Sequence, residues 1–217
     1  NYIHPHDLDF MPTGTTTCCQ IPLGDLLSKG FNTGHGHMRT PQCITSASAL
    51  SAIILQANQN QQHGGQAFPT FDYDLAPYVK KSYNKYMISI VRDLEELDID
   101  SSTVDWSKIE RLAWIKTEEE TLQSMEAFVH NMNSMNSRSA GQVPFTSINY
   151  GTDTSKEGRL IIKCVLEATA NGLGKSETPI FPIQIFKVKE GISYNPEDSN
   201  YDLFKLACEV TSKRLFP

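Results

Sequence analysis

The 217-residue sequence is first defined by what it lacks. No run of about 18 apolar residues occurs, the length a membrane span needs. The most apolar stretch, residues 49 to 57, is broken by Ser51 and Gln56, so no spanning helix is predicted. Basic charge is not in excess: 19 Lys and Arg against 25 Asp and Glu leave a net charge of -6, with no general attraction to nucleic acid or an anionic membrane. Glycine and proline number only 13 and 11 beside 39% hydrophobic residues, which excludes collagen-like and disordered chains. The five cysteines, at 18, 19, 43, 164 and 208, are an odd number at irregular spacing. They form neither a disulfide framework nor a C-x-x-C zinc signature, and a reducing, cytosolic setting is expected. The N-terminus carries neither Met nor a basic-then-apolar leader, and the chain stops at Phe216-Pro217 after a helix-like segment, so an excised fragment is expected.

What is present is unevenly distributed. Residues 1 to 64 hold five of the six histidines but only Asp7, Asp9, Asp25, Lys29 and Arg39 as charges. Between Asp93 and Glu120 stand ten carboxylates against Lys108, Arg111 and Lys116, and residues 98 to 120 read as an acidic surface excursion. Apolar spacing predicts helices over residues 45 to 63 and 72 to 97, joined by a short connection with Gly64-Gly65 and Pro69 into a helix hairpin. Two capping boxes, Thr117-x-x-Glu120 and Thr154-x-x-Glu157, predict further helix starts, and a last helix runs from about 200 to 215. Apolar segments at 15 to 21, 143 to 150 and 180 to 188 are too short for helices and read as strands. Strand, helix and strand in succession from 143 to 188 is a parallel crossover unit, so the fold class is α/β.

Four segments can carry chemistry. His4-Pro5-His6-Asp7-Leu8-Asp9 followed by Thr13-Gly14-Thr15-Thr16-Thr17-Cys18-Cys19 concentrates imidazoles, carboxylates, hydroxyls and thiols. As a metal site it lacks a third spaced ligand. Adjacent cysteines on a strand face opposite ways, so Cys18 and Cys19 are not expected to pair. Gly34-His35-Gly36-His37 is a tight loop with two imidazoles. The amide-rich run from Asn131 to Gln142 suits a polar ligand, and Gly151-Thr152-Asp153-Thr154-Ser155 joins strand to helix where free amides can hold phosphate.

Read in order, His6-Asp7-Leu8-Asp9, Cys18 ahead of Leu23 and Gly30-Phe31, Leu75-Ala76-Pro77-Tyr78-Val79, Gly141-Gln142-Val143-Pro144-Phe145, Gly151-Thr152-Asp153-Thr154-Ser155, Thr178-Pro179-Ile180-Phe181-Pro182, and Asn200-Tyr201-Asp202 through Ser212-Lys213-Arg214 carry a resemblance over essentially the whole chain. Together they resemble the anaerobic, class III ribonucleoside-triphosphate reductases. The resemblance implies part of a ten-stranded α/β barrel of the glycyl-radical type and replacement of the ribose 2'-hydroxyl by hydrogen. A glycyl radical generates the thiyl radical that starts the reaction, and formate supplies the electrons. It assigns Cys18 as the reducing-side cysteine, by its distance to Gly30-Phe31, with Cys19 as the alternative. It points to Thr13, Gly14 and Thr15 for substrate ribose and phosphate.

The resemblance also implies a homodimer built on the hairpin of residues 45 to 97, with a deoxynucleotide or ATP effector between subunits. Lys80, Lys81 and Lys85 are the expected phosphate contacts and Gln42 and Gln56 the expected base contacts. A radical-SAM activase is the expected partner of the full-length protein, and no nucleic acid or membrane partner is expected. The finger-loop cysteine, glycyl radical segment, zinc cysteines and ATP-cone of the family are not identifiable here, and Cys208 is a poor stand-in for the thiyl cysteine. No cofactor or metal is therefore expected on these residues, and the isolated chain is expected to be inactive. An effector-binding and dimerisation module, and another glycyl-radical enzyme, are the competing readings.

Overall fold

The computed structural model describes residues 18–60, 62, 64–99, 104–137 and 141–217. Its elements in chain order are β1 (Cys19–Gln20), α1 (Leu23–Lys29), β2 (Phe31–Asn32), β3 (His37–Met38), α2 (Ile44–Gln59), β4 (Gln66–Phe68), α3 (Phe71–Glu96), α4 (Trp106–Ser134), β5 (Thr146–Tyr150), α5 (Lys156–Asn171), β6 (Ile183–Phe186) and α6 (Tyr201–Arg214). Four strands form one parallel sheet in the order β1-β4-β5-β6, and β2 pairs with β3 as a small antiparallel ribbon. The α/β class expected from residues 143 to 188 is the class observed, with β5 and β6 adjacent and parallel.

Alternation along β5 sets the two faces of the sheet. Thr146, Ile148 and Tyr150 are buried toward the helices, while Ser147 and Asn149 lie on the other side. The helical side is a conventional core. Phe68 stacks on Phe71 at 6.0 Å between ring centroids, and Phe71 meets Phe128 at 5.3 Å, tying β4, α3 and α4 together. Each buried ring contributes about 2 to 3 kcal/mol by removal from water. Helix α5 is buried nearly all round, with Leu160, Ile161, Ile162, Val165 and Leu166 inside, because α3, α4 and α6 pack on it. The opposite face is only partly covered: Ile183 and Ile185 remain about half exposed. The far ends of α3 and α4 carry a second, smaller core of Ile90, Ile109 and Ala113 with Tyr83, Tyr86 and Met87 against it.

Several expectations are corrected. The connection between α2 and α3 contains strand β4, so the region of residues 45 to 97 enters the sheet instead of standing as a bare helix hairpin. Thr117 does not start a helix. Asp105 caps α4 by accepting the Ser107 N–H at 3.0 Å, and Thr117 bonds back to the Ala113 carbonyl inside a continuous helix. Half of the acidic stretch is thus the first half of α4, whose Ile109, Ala113 and Thr117 are buried while most of its carboxylates stay on the solvent side. Ser155, not Thr154, caps α5, accepting the Gly158 N–H at 3.0 Å. Helix α1 and the β2–β3 ribbon were not foreseen.

Candidate functional site

Register separates the adjacent cysteines. Cys19 pairs with Gln66, and Gln66 with Thr146, so these three share the helix-facing side of the sheet. Gln20, Ala67, Ser147 and Ile183 form the matching row on the open side. Cys18, one residue before the strand, is exposed and lines a cavity of about 400 Å³ with Gly65, Ala67, Phe145, Ser147 and Ile183. The sulfur of Cys19 is half-buried and accepts a hydrogen bond from Asn58 Nδ2 at 3.4 Å.

Beneath that cavity lies an amide network. Asn58 Nδ2 also donates to Gln62 Oε1 at 3.0 Å and Gln66 Oε1 at 2.8 Å, and Gln66 Nε2 reaches the Leu55 carbonyl at 2.7 Å. Gln59 Oε1 accepts from Gln66 Nε2 at 3.2 Å and from the Phe145 N–H at 3.1 Å. The end of α2 is thereby tied to the starts of β1, β4 and β5, which fixes the strand ends that carry Cys18 and Phe145. The run of Gln and Asn at 56 to 62 gave no hint of this role by composition. Its only legible signal is its adjacency to Gly64-Gly65.

The loop after β5 does not present free amides to a ligand. Asp72 Oδ2 accepts the N–H groups of Gly151, Thr152 and Asp153 at 2.9, 3.0 and 3.0 Å, and Asp72 is buried. A protein carboxylate thus fills the anion position that the sequence suggested for phosphate. Asn200 holds the carbonyls of Gly151 and Asp153 from the other side, at 3.1 and 2.9 Å. Burial, with the Asp72 charge second, holds the Tyr150 phenol well above its ordinary range, and its hydroxyl donates to Gln184 Oε1 at 2.6 Å. The amide-rich run beginning at Asn131 is likewise structural where it is described: Asn133 Oδ1 accepts the N–H groups of Ile180 and Phe181 at 2.7 and 3.1 Å.

A second polar cluster joins α2, α3 and α4. Lys85 Nζ donates to Glu120 Oε1 at 2.9 Å, and Thr45 Oγ1 donates to the same oxygen at 3.0 Å. Burial pushes the Glu120 carboxyl up, but hydrogen bonds from Lys85, Ser82 and Thr45 outweigh it and leave the group below its usual range. For Lys85, burial opposes the charged form and the Glu120 bond and charge outweigh it, so the ammonium titrates above its usual value. Beside the pair opens a cavity of about 290 Å³ lined by Thr45, Ser48, Tyr86, Glu120, Ser124 and Asn131.

Of the residues singled out from sequence, Asn131 lines this cavity and Lys85 borders it through its bond to Glu120. Lys81 is i-4 to Lys85 on the same helix, half-buried, and donates to the Pro41 carbonyl at 3.0 Å. Lys80 is exposed and turned about 100° away from Lys81, so the three lysines do not form one phosphate cradle. Gln42 is exposed before α2 and donates to the Thr40 carbonyl at 3.1 Å. Gln56 is half-buried on α2, with Nε2 unpaired among the described residues. Thr13, Gly14 and Thr15 lie outside the described residues, as do His4, His6, Asp7 and Asp9. Glu120 and Thr45 were missed, because partners 35 and 75 residues apart leave no local signal. Among the described residues no group of three or more His, Cys, Asp or Glu converges as a metal site requires, and no helix is long and apolar enough to cross a membrane.

A parallel sheet with helices on one face and a thiol-bearing cavity on the other defines an α/β domain. A sequence model of the family described as anaerobic ribonucleoside-triphosphate reductase matches residues 1–217, and the chain belongs to that family. It is 36% identical over 217 residues to the anaerobic ribonucleoside-triphosphate reductase of Enterobacteria phage T4, with 99% of this chain and 34% of that protein covered. It is 33% identical to the enzyme of the same name from Haemophilus influenzae, with 99% of this chain and 29% of that protein covered. The chain thus spans about a third of the length of these relatives. Its fold is similar to the Thermotoga maritima anaerobic ribonucleotide reductase crystallised with dATP and CTP, at a TM-score of 0.62 and 15% identity, covering 97% of this chain and 33% of that one.

Proposed function

We propose that these residues form the first part of the catalytic domain of a reductase that, as a whole protein, converts ribonucleoside triphosphates to 2'-deoxyribonucleoside triphosphates without oxygen, for DNA precursor synthesis. Cys18 is the thiol on the reducing side of the substrate. The observation that carries this reading is the division of labour between neighbours: both cysteines border the cavity, but the sulfur of Cys19 is engaged by Asn58 and its residue is half-buried, while Cys18 is exposed. A hydrogen atom passes to a substrate radical only at contact distance, and a thiol held at the start of a sheet strand meets that need better than one on a loop.

The half-exposed Ile183 and Ile185 fit an inward face that the rest of a ten-stranded barrel would cover. The family's glycyl radical, the formate reductant and the structural zinc belong to other parts of the whole protein, and the radical supplies hydrogen abstraction when present. A radical-SAM activase is the matching partner, and the cytoplasm the matching compartment. The second reading, an effector-binding and dimerisation module, is favoured by the cavity beside Lys85, Thr45 and Glu120, and the two readings are compatible within one protein. A surface that suits a subunit contact is the distal part of α3 and α4, where Ile88, Leu97, Trp106, Leu112 and Ile115 are exposed, beside the helix pair of residues 45 to 97 expected from sequence.

The test is turnover by the full-length, activated protein with single substitutions. Cys18→Ser is expected to lower deoxynucleotide formation by at least about a thousandfold. Cys19→Ser is expected to stay within about threefold of the parent, since its partner hydrogen bond survives in a hydroxyl. A reversed ranking would transfer the role to Cys19.

A further inference from the structure

Gly65 stands in the sheet ladder. Its carbonyl accepts the Cys19 N–H at 3.2 Å, and the next residue, Gln66, donates to the Phe145 carbonyl at 3.0 Å. Several other glycines of the fold have local reasons, although Gly174, in the loop after α5, shares the absence of one. At Gly24 a Cβ would meet Asp74 Oδ1 at 2.7 Å, and Gly151 combines a φ of +117° with the Lys187 carbonyl at 3.0 Å from that position. Gly65 has neither constraint. Its φ lies outside the left-handed region, and among the described residues an added Cβ would meet only the Phe145 carbonyl oxygen, at 3.8 Å, an ordinary contact. Gly65 immediately precedes β4, and glycine in such a position marks a bulge, a tight bend or a place where a ligand or another backbone approaches closely.

What approaches is indicated by the surroundings. Since Cys19 pairs with Gln66, Cys18 lies beside Gly65, roughly one strand spacing of 4.8 Å away. The next residue on the open face of β4 is Ala67, again small, and both line the same cavity as Cys18. The open face therefore has a trough along β4, walled by Cys18 and Gln20 on one side and by Phe145 and Ser147 on the other. A branched side chain at 65 would fill the space next to the Cys18 sulfur.

We propose that Gly65 is a specificity-determining residue: its missing side chain lets the furanose ring of a ribonucleoside triphosphate lie on the β4 backbone in contact with Cys18. The inference rests on the reading of Cys18 given above, and its test is chosen to be separable from it.

In the full-length protein, left unactivated so that no chemistry occurs, CTP affinity, dATP affinity and thermal midpoint are measured for Gly65→Ala, Gly65→Val and Cys18→Ser. Gly65→Val is expected to weaken CTP binding by at least about tenfold and Gly65→Ala by about threefold, with dATP affinity within about twofold. Gly65→Ala is expected to hold or raise the thermal midpoint, because no described atom opposes its Cβ. If Gly65→Val does not fold, the Ala variant decides on its own. CTP affinity within twofold of the parent in the folded variants overturns the proposal. So does a thermal midpoint lowered by Gly65→Ala, which would mean that protein packs into the trough. Cys18→Ser is expected to bind CTP normally. Should that variant retain turnover after activation, the role of Cys18 falls, while the clearance role of Gly65 is still decided by the binding data.

Discussion

The carboxylate of Asp72 and the backbone of Gly151 meet at 2.9 Å, and the same oxygen gathers the N–H groups of Thr152 and Asp153. Asp72 sits in the first turn of α3 shortly after β4, and Gly151 follows β5, so one buried charge fastens neighbouring strands at the end opposite Cys18. The amide network of Asn58, Gln59 and Gln66 fastens the Cys18 end. Rigid strand placement at both ends suits the role proposed for Cys18.

Asp72→Asn keeps the volume and one carbonyl oxygen but removes the charge that three donors share. A stability loss of about 2 to 3 kcal/mol is expected, read as a lower urea midpoint with unchanged slope. A loss under about 0.5 kcal/mol would mean that the loop is held by Asn200 alone.

Asn133 clamps the segment leading into β6. Its Oδ1 accepts from Ile180 and Phe181, and its Nδ2 donates to the carbonyls of Val129 and Phe181 at 2.7 and 2.5 Å. Asn133→Ala leaves these backbone groups without a partner and is expected to cost about 2 kcal/mol, whereas Asn133→Asp, which keeps only the acceptor, falls between. Equal stability of Ala and Asp variants would show that only the donor matters.

Thiol accessibility gives a direct check on the sheet faces. Cys18 and Cys208 are exposed, Cys19 and Cys43 half-buried, and Cys164 buried with its thiol pushed up to about 12, chiefly by burial. At pH 8 a thiol of that pKa is ionised about a thousandfold less than an unperturbed one. Alkylation followed by peptide mass mapping should therefore label Cys18 before Cys19, and Cys164 only on unfolding. Labelling of Cys19 ahead of Cys18 would reverse the assignment of the two faces.

Apart from α4, whose first half was read as a surface excursion, the longer elements were legible in sequence because burial follows period there. Helix α3 begins and ends within a residue of its expected span, β5, β6 and α6 fall inside theirs, and α5 starts two residues after Thr154. What escaped was short or stabilised from a distance. Strand β4 is three residues long and exists because β1 and β5 flank it. Thr117 looked like a cap because its hydroxyl precedes a glutamate by three, yet that hydroxyl bonds backward to Ala113 within a helix already under way. The Gly151 loop looked like a phosphate cradle because no local pattern announces that a carboxylate 79 residues earlier occupies it. Cys18 was singled out by resemblance, and which side of the sheet it and Cys19 each face needed the register.

The pair Lys85 and Glu120 supplies the pH prediction. Glu120 has its folded pKa below the ordinary value of 4.5, since the bonds from Lys85, Ser82 and Thr45 outweigh burial. A depressed carboxyl contributes stability that is fully present above its unfolded pKa and is lost as pH falls through the folded one. Glu120→Gln should thus be less stable than the parent by about 1 kcal/mol at neutral pH, a modest figure because the Lys85 side chain is 46% exposed and solvent screens it. The gap should persist on acidification down to the ordinary carboxyl range and close below it, when the parent's own Glu120 is protonated. Lys85, shifted up by the same partner after burial is outweighed, contributes in the opposite sense: its share holds below 10.5 and disappears as pH rises through the folded value. Urea midpoints of parent and variant at neutral pH, at about pH 5 and at about pH 3.5 carry the test. A gap unchanged across that range would mean that the carboxylate's charge is irrelevant and that Thr45 and Ser82 bind either side chain equally. Lys85→Met should reproduce the neutral-pH loss but leave the buried carboxylate with only hydroxyl partners, so its acid transition should begin at higher pH than the parent's.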